Sequence, residues 1–175
     1  MNKKIGYTLY AVAAAFLLIK LIITATEQYG LFIIDYSRNE SIPLLEILWS
    51  DVIYHGLLIE PILILISLIA FMWNNKIGYY LTLIYPYFIM AYAILDLLSY
   101  EHVFGPFNWA QMTFAFFVIV PLNIPATVKL FKGTKNYNNQ IIINVLALVT
   151  GFGLNLGISE FINSALDKVI GANII

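Results

Sequence analysis

Long apolar runs separated by short polar stretches dominate this chain. About 20 consecutive apolar residues are enough for a helix to cross the ~30 Å hydrocarbon core of a bilayer. The pattern therefore predicts an all-α polytopic membrane protein, a five-transmembrane-helix bundle with short loops that forms a single integral membrane domain over residues 1–175. The expected spans are residues 5–26, 52–73, 77–98, 112–130 and 141–159.

The first apolar run has a second interpretation as a cleaved signal peptide. The run is long for a signal peptide, and the residues before Thr26 make a poor small-x-small cleavage site. A retained helix is therefore the favoured interpretation, and residues 27–50 are expected to form an acidic loop. Within that loop, Ser41 to Trp49 is predicted to form a short helix in the membrane interface, because Ser41 can cap it and Pro43 is tolerated in a first turn.

After the fifth apolar run, polar residues are interspersed with apolar ones. From Ile158 to Ile170, apolar residues recur at helical spacing among polar ones. This pattern predicts an amphipathic C-terminal extension that lies along the outer surface of the membrane.

Composition supports the membrane class and excludes several kinds of chemistry. The chain is 61% hydrophobic and 11% charged, whereas a soluble domain carries about 25% charged residues. It has no cysteine, which excludes disulfides, zinc-thiolate sites and thiol catalysis. No nucleophile motif, phosphate-binding loop or nucleic-acid signature occurs, so no cofactor and no nucleic-acid partner are predicted.

The basic residues predict an orientation, because cytoplasmic loops carry the Lys/Arg excess. With five spans, one side holds six lysines and the other only Arg38 and Lys168; the six are Lys3, Lys4, Lys76, Lys129, Lys132 and Lys135. The N-terminus is therefore expected inside and the C-terminus outside, in what we interpret as a prokaryotic cytoplasmic membrane. All ten acidic residues fall toward the outer side, which indicates either an electronegative mouth or loops that are merely kept soluble.

The most unusual position is Glu60, a carboxylate within the second apolar run that is followed directly by Pro61. A carboxylate at membrane depth is costly without a partner or a wet cavity. Pro61 removes a backbone donor and predicts a kink. On the expected spans, Lys20, Asp96 and Glu160 lie at a depth similar to that of Glu60.

Polar residues at helical spacing on several runs lead to a cavity hypothesis. Lys20 is expected to pair with Glu60 or Asp96 inside a polar cavity that opens to the outside. The alternative is that Lys20 and Asp96 extend to the interface and that Glu60 makes a structural contact between helices. The candidate cavity residues are Lys20, Glu60, Ser67, Tyr85, Tyr92, Asp96, Asn155 and Glu160.

Two further patterns carry weaker hypotheses. His55 and His102 could ligate haem or, together with Asp51 and Glu101, a metal. The chain lacks dense ligand spacing, so the histidines are interpreted as surface groups and no metal is predicted. The small-xxx-small pattern from Gly153 to Gly157 lets helices approach closely. It is expected to pack inside the bundle, with packing against another chain as the alternative.

Three classes of function remain open from the sequence. The favoured one is an accessory subunit or an apolar-ligand or lipid-binding protein with an outward-facing polar cavity, whose partners are the bilayer and other membrane subunits or an apolar ligand. The second is a small ion- or proton-coupled transporter or channel. The third is a membrane-embedded lipid-modifying enzyme that uses Glu60 or Asp96 for acid–base work; the lack of a catalytic motif disfavours it, and no catalytic residue is assigned.

Overall fold

The chain is all-helical throughout the part that the structure describes. This computed structural model describes residues 3–38, 42–48, 58–99, 106–131 and 137–172. The helices are α1 (Lys3–Arg38), α2 (44–48), α3 (Ile59–Ala70), α4 (Lys76–Ser99), α5 (Pro106–Asn123), α6 (Pro125–Val128) and α7 (Tyr137–Ala172). The predicted all-α class is confirmed, and helix α2 falls within the short helix expected between Ser41 and Trp49.

Three helices among the described residues, not five, are long and apolar enough to cross a membrane. They are α1, the Lys76–Leu98 part of α4 and the Asn138–Phe161 part of α7. The second expected span corresponds to α3, which has 12 residues and is therefore only about 18 Å long. Residues 52–57 of that expected span lie outside the described residues.

The fourth expected span, residues 112–130, is divided into two helices. Helix α5 ends at Asn123, Ile124 adopts an extended conformation (φ −66°, ψ 134°), and α6 begins at Pro125. Proline has no backbone N–H, and its ring disfavours helical geometry in the residue before it. Pro125 therefore ends the helix, whereas Pro121 lies inside α5 without interrupting it.

Helices α1 and α7 are longer than expected. Each has 36 residues and is therefore about 54 Å long. Residues 27–38 continue α1 instead of forming a loop, and α7 passes through Ser159 without the predicted boundary between a span and a separate extension. Both stretches are more polar than the spans, but neither contains a proline, and polarity alone does not end a helix.

Contacts between helices define two ends of the bundle. Helices α1, α4 and α7 run in one direction, and α3 and α5 run in the other; α4 packs against α3, α5 and α7, while α1 packs against α3, α5 and α6. We call the end that contains Lys3, Lys76 and Lys129 the lysine end, and the end that contains Asp96 and Glu160 the acidic end.

The α1–α6 contact at the lysine end depends on a glycine. A Cβ atom added to Gly6 would collide with the carbonyl oxygen of Ala126. Further into the bundle, the core is filled by fully buried residues from several helices, including Leu17, Ile64, Leu83 and Val118.

Candidate functional site

Three helices bring Lys20, Glu60 and Tyr85 together. The Nζ of Lys20 on α1 lies 3.1 Å from Oε1 of Glu60 on α3. The hydroxyl of Tyr85 on α4 donates to the same oxygen at 2.8 Å. Of the two partners expected for Lys20, the structure therefore shows Glu60, and it adds a tyrosine hydrogen bond to the ion pair.

The position of Glu60 follows from where α3 begins. The helix starts at Ile59, so Glu60 and Pro61 both lie in its first turn. The free N–H groups there favour a carboxylate, and proline is tolerated because its missing N–H has no helical acceptor at that position. The kink predicted at Pro61 also involves residues 52–57, which lie outside the described residues, so it stays a prediction. In the described part, the proline lies in the first turn of α3.

The ion pair and its tyrosine are largely sheltered from water. Tyr85 is fully buried, and the side chains of Lys20 and Glu60 are 15% and 27% exposed. The ring of Phe114 packs edge-on against Tyr85, with 6.1 Å between the ring centroids. The two groups have opposite charges, so each offsets part of the cost of sheltering the other from water.

Asp96 lies at a different height. It is eleven residues beyond Tyr85 on α4, a rise of roughly 16 Å, and it accepts a hydrogen bond of 2.8 Å from Asn108 of α5. The common depth predicted for Lys20, Glu60 and Asp96 is therefore wrong. The prediction measured depth from a helix end near Thr26, but α1 continues to Arg38, which places Lys20 near the middle of that helix.

The other candidate residues are divided among separate places. The hydroxyl of Ser67 donates to the carbonyl oxygen of Leu81 at 3.2 Å and so closes the α3–α4 contact. Tyr92 lies two turns beyond Tyr85 and is 43% exposed. Asn155 is half-buried and Glu160 is exposed, both on α7, which packs along α4. Five of the eight predicted side chains therefore lie away from the ion pair.

The histidine hypothesis falls outside the described part of the chain. His55 and His102 both belong to residues that the structure does not describe. Among the residues that it does describe, no group of three or more His, Asp or Glu side chains could hold a metal ion.

A second polar cluster, which the sequence reasoning missed, lies toward the lysine end. Oδ1 of Asn123 accepts hydrogen bonds from the hydroxyl of Tyr79 at 2.9 Å, from Asn144 at 2.7 Å and from Gln140 at 3.2 Å. The hydroxyl of Tyr87 donates to Oδ1 of Asn144 at 2.7 Å. These five side chains join α4, the end of α5 and the start of α7.

The helix break explains why amides collect there. Asn123 is the last residue of α5, and the next backbone N–H that could reach its carbonyl, that of Thr127, bonds to Ile124 instead. Nε2 of Gln140 donates to this free carbonyl at 2.9 Å. The signal in the sequence is the side-chain amide of Asn123, two residues before Pro125, together with the amides of Gln140 and Asn144, which lie four residues apart on α7.

The structure also shows a cleft of about 120 Å³ at the lysine end. The hydroxyl of Tyr10 donates to the carbonyl oxygen of Phe71 beside it. The cleft lies at the end opposite to the outward-facing cavity that was expected. Its walls are Tyr7, Tyr10, Phe71, Asn74, Leu130 and Phe131.

Comparisons of this chain with models of protein families, with curated proteins and with solved structures found no match. Its function is therefore inferred from its own side chains. The ion pair of Lys20 and Glu60 can hold three helices together or exchange a proton, the amide cluster can fix the break between α5 and α6, and the cleft offers a lined surface at one end of the bundle.

Proposed function

We propose that this chain is a small integral membrane protein that acts as an accessory subunit and docks another membrane helix along α7. Three helices are long and apolar enough for insertion. Helix α7 packs along α4, which leaves its opposite face available. Residues on that face are exposed over several turns, from Leu146 and Val149 to Glu160 and Ser164.

The observation that carries this proposal is the open space beside two glycines of α7. Among the residues that the structure describes, none lies within 4 Å of a Cβ atom added to Gly153 or Gly157, whereas a Cβ atom added to Gly151 would strike α4. Packing of the Gly153–Gly157 pattern against the rest of the described chain was expected and is wrong. Each glycine in a helix interior costs up to about 1 kcal/mol relative to alanine, and close approach of a partner helix is the usual compensation in membranes.

The charge on the same face indicates the kind of partner. Glu160 lies one turn beyond Gly157 and is exposed. In a parallel pair of two identical α7 helices, two Glu160 carboxylates would approach each other, which is unfavourable. A different chain is therefore favoured, with small residues facing the glycines and a lysine or arginine facing Glu160.

Filling the glycine face is expected to abolish docking. The chain has no cysteine, so Val149→Cys provides a unique site for a photo-crosslinker in native membranes. We expect an adduct of defined mass, reduced at least tenfold by Gly153→Leu with Gly157→Leu, because the leucines hold the partner backbone away.

Ser159→Leu is the matched control, since it adds bulk to α7 at an exposed position that lies about 120° or more around the helix from both glycines, and it should leave the adduct unchanged. An adduct with twice the mass of this chain, or no adduct at all, would contradict the proposal.

A second candidate function is ion- or proton-coupled transport, which the ion pair favours. Ionisable groups inside a membrane segment mark ion or proton pathways in many transporters. In liposomes under a pH gradient, this candidate predicts proton flux that Glu60→Gln abolishes. Asp96→Asn should retain the flux, because Asp96 bonds to Asn108 away from the pair. No flux through the unaltered protein would remove this candidate.

A further inference from the structure

We propose that the cleft at the lysine end binds the head group of an anionic phospholipid. Three parts of the chain form its walls: α1 with Tyr7 and Tyr10, the α3–α4 turn with Phe71 and Asn74, and the segment after α6 with Leu130 and Phe131. At about 120 Å³ it is smaller than the 300–1,000 Å³ of pockets that enclose a whole ligand. It therefore suits a head group whose acyl chains remain in the bilayer.

The charge around the cleft selects an anion. Lys3 lies one turn before Tyr7, Lys76 lies two residues after Asn74, and Lys129 directly precedes Leu130; all three lysines are exposed. The whole sequence has no acidic residue in 1–26, 61–95 or 102–159, the stretches from which this end is built. The positive charge is therefore not neutralised by neighbouring carboxylates, and it attracts phosphate groups.

The apolar rim selects a lipid over a soluble anion. Tyr7, in the wall of the cleft, is 60% exposed. Met72, Trp73 and Ile77, which are close in sequence to the wall residues Phe71 and Asn74, are 83%, 47% and 61% exposed. Exposed tyrosine and tryptophan at the end of a bundle are typical of head-group depth. The lysines assign this end to the cytoplasmic leaflet, where anionic lipids are concentrated and each nearby basic residue strengthens binding.

The test is a lipid titration of the purified chain in detergent, followed by native mass spectrometry. Dioctanoyl phosphatidylglycerol is compared with dioctanoyl phosphatidylcholine, which has the same acyl chains and no net charge. We expect tighter binding of the anionic lipid. Each Lys→Gln change at positions 3, 76 and 129 should weaken that binding about fivefold, and the triple variant about a hundredfold.

Arg38→Gln is the matched control, because it removes one cation at the opposite end of α1 and should leave lipid binding unchanged. Leu130→Trp tests the cleft without changing its charge: the larger side chain fills the space and should also weaken binding at least tenfold, even if the triple variant does not fold.

Inorganic phosphate, titrated in a separate arm, should not compete at millimolar concentration. Equal binding of the two lipids would overturn the proposal. It would also be overturned if neither Leu130→Trp nor the lysine changes weakened binding, or if phosphate alone displaced the lipid. The outcome is independent of the docking role of α7, because the glycine variants of α7 leave this end unchanged.

Discussion

Glu60→Leu is expected to destabilise the folded protein by about 3 kcal/mol, because it leaves a sheltered ammonium group without its carboxylate. In the structure, Lys20 and Tyr85 both bond to one oxygen of Glu60, so both lose their partner at once. Lys20→Met together with Glu60→Leu removes both charges and should leave a deficit of only about 1 kcal/mol, which reflects the Tyr85 hydroxyl without an acceptor.

Adding Tyr85→Phe should return the stability close to that of the unaltered chain, since replacing a whole sheltered polar set by apolar groups is often neutral. The measurement is unfolding by increasing fractions of sodium dodecyl sulfate in mixed micelles, followed by circular dichroism. If Glu60→Leu alone proves as stable as the original chain, the ion pair does not hold α1, α3 and α4 together.

Gly151→Ala and Gly153→Ala, two residues apart on one helix, are expected to change stability in opposite directions. A Cβ atom at Gly151 would lie 2.7 Å from the backbone nitrogen of Phe88 and 2.8 Å from the carbonyl carbon of Tyr87. Backbone atoms cannot rotate away, so α7 must move off α4, at a cost of about 2–3 kcal/mol. A Cβ atom at Gly153 has no described residue within 4 Å, so alanine there should stabilise by up to about 1 kcal/mol.

The same unfolding measurement checks this pair, and each variant is the control for the other because both make the same chemical change. Amide hydrogen exchange adds a local measurement: Gly151→Ala should speed exchange along α7, since the shift also strains the 2.7 Å hydrogen bond between Tyr80 and Thr150. Equal effects of the two substitutions would contradict the close α4–α7 contact.

The candidate site was predictable only in part. The cost of a carboxylate in an apolar run was enough to predict a partner for Glu60, and Lys20 is that partner. Sequence reasoning placed Asp96 at the same depth because it measured from assumed span ends, and the longer α1 removes that basis. The amide cluster around Asn123 was missed because its members are far apart in the chain. The helix break at Pro125 leaves the carbonyl of Asn123 free to accept a hydrogen bond from Gln140, and this bond is visible only in the tertiary structure.

The residues alone determined what any arrangement of this chain must satisfy: an all-helical backbone, apolar stretches long enough for a membrane, a charge that needs a partner, and a lysine-rich end separated from the acids. These follow from local composition and from the cost of exposing polar groups to hydrocarbon. The tertiary structure decided the three candidate spans, the choice of Glu60 over Asp96, and which glycines are packed. Those features depend on where helices end and which helices touch. A polar stretch can continue a helix, so composition does not reveal where the helix ends. The spacing of glycines in the sequence is the same whether or not another helix packs against them.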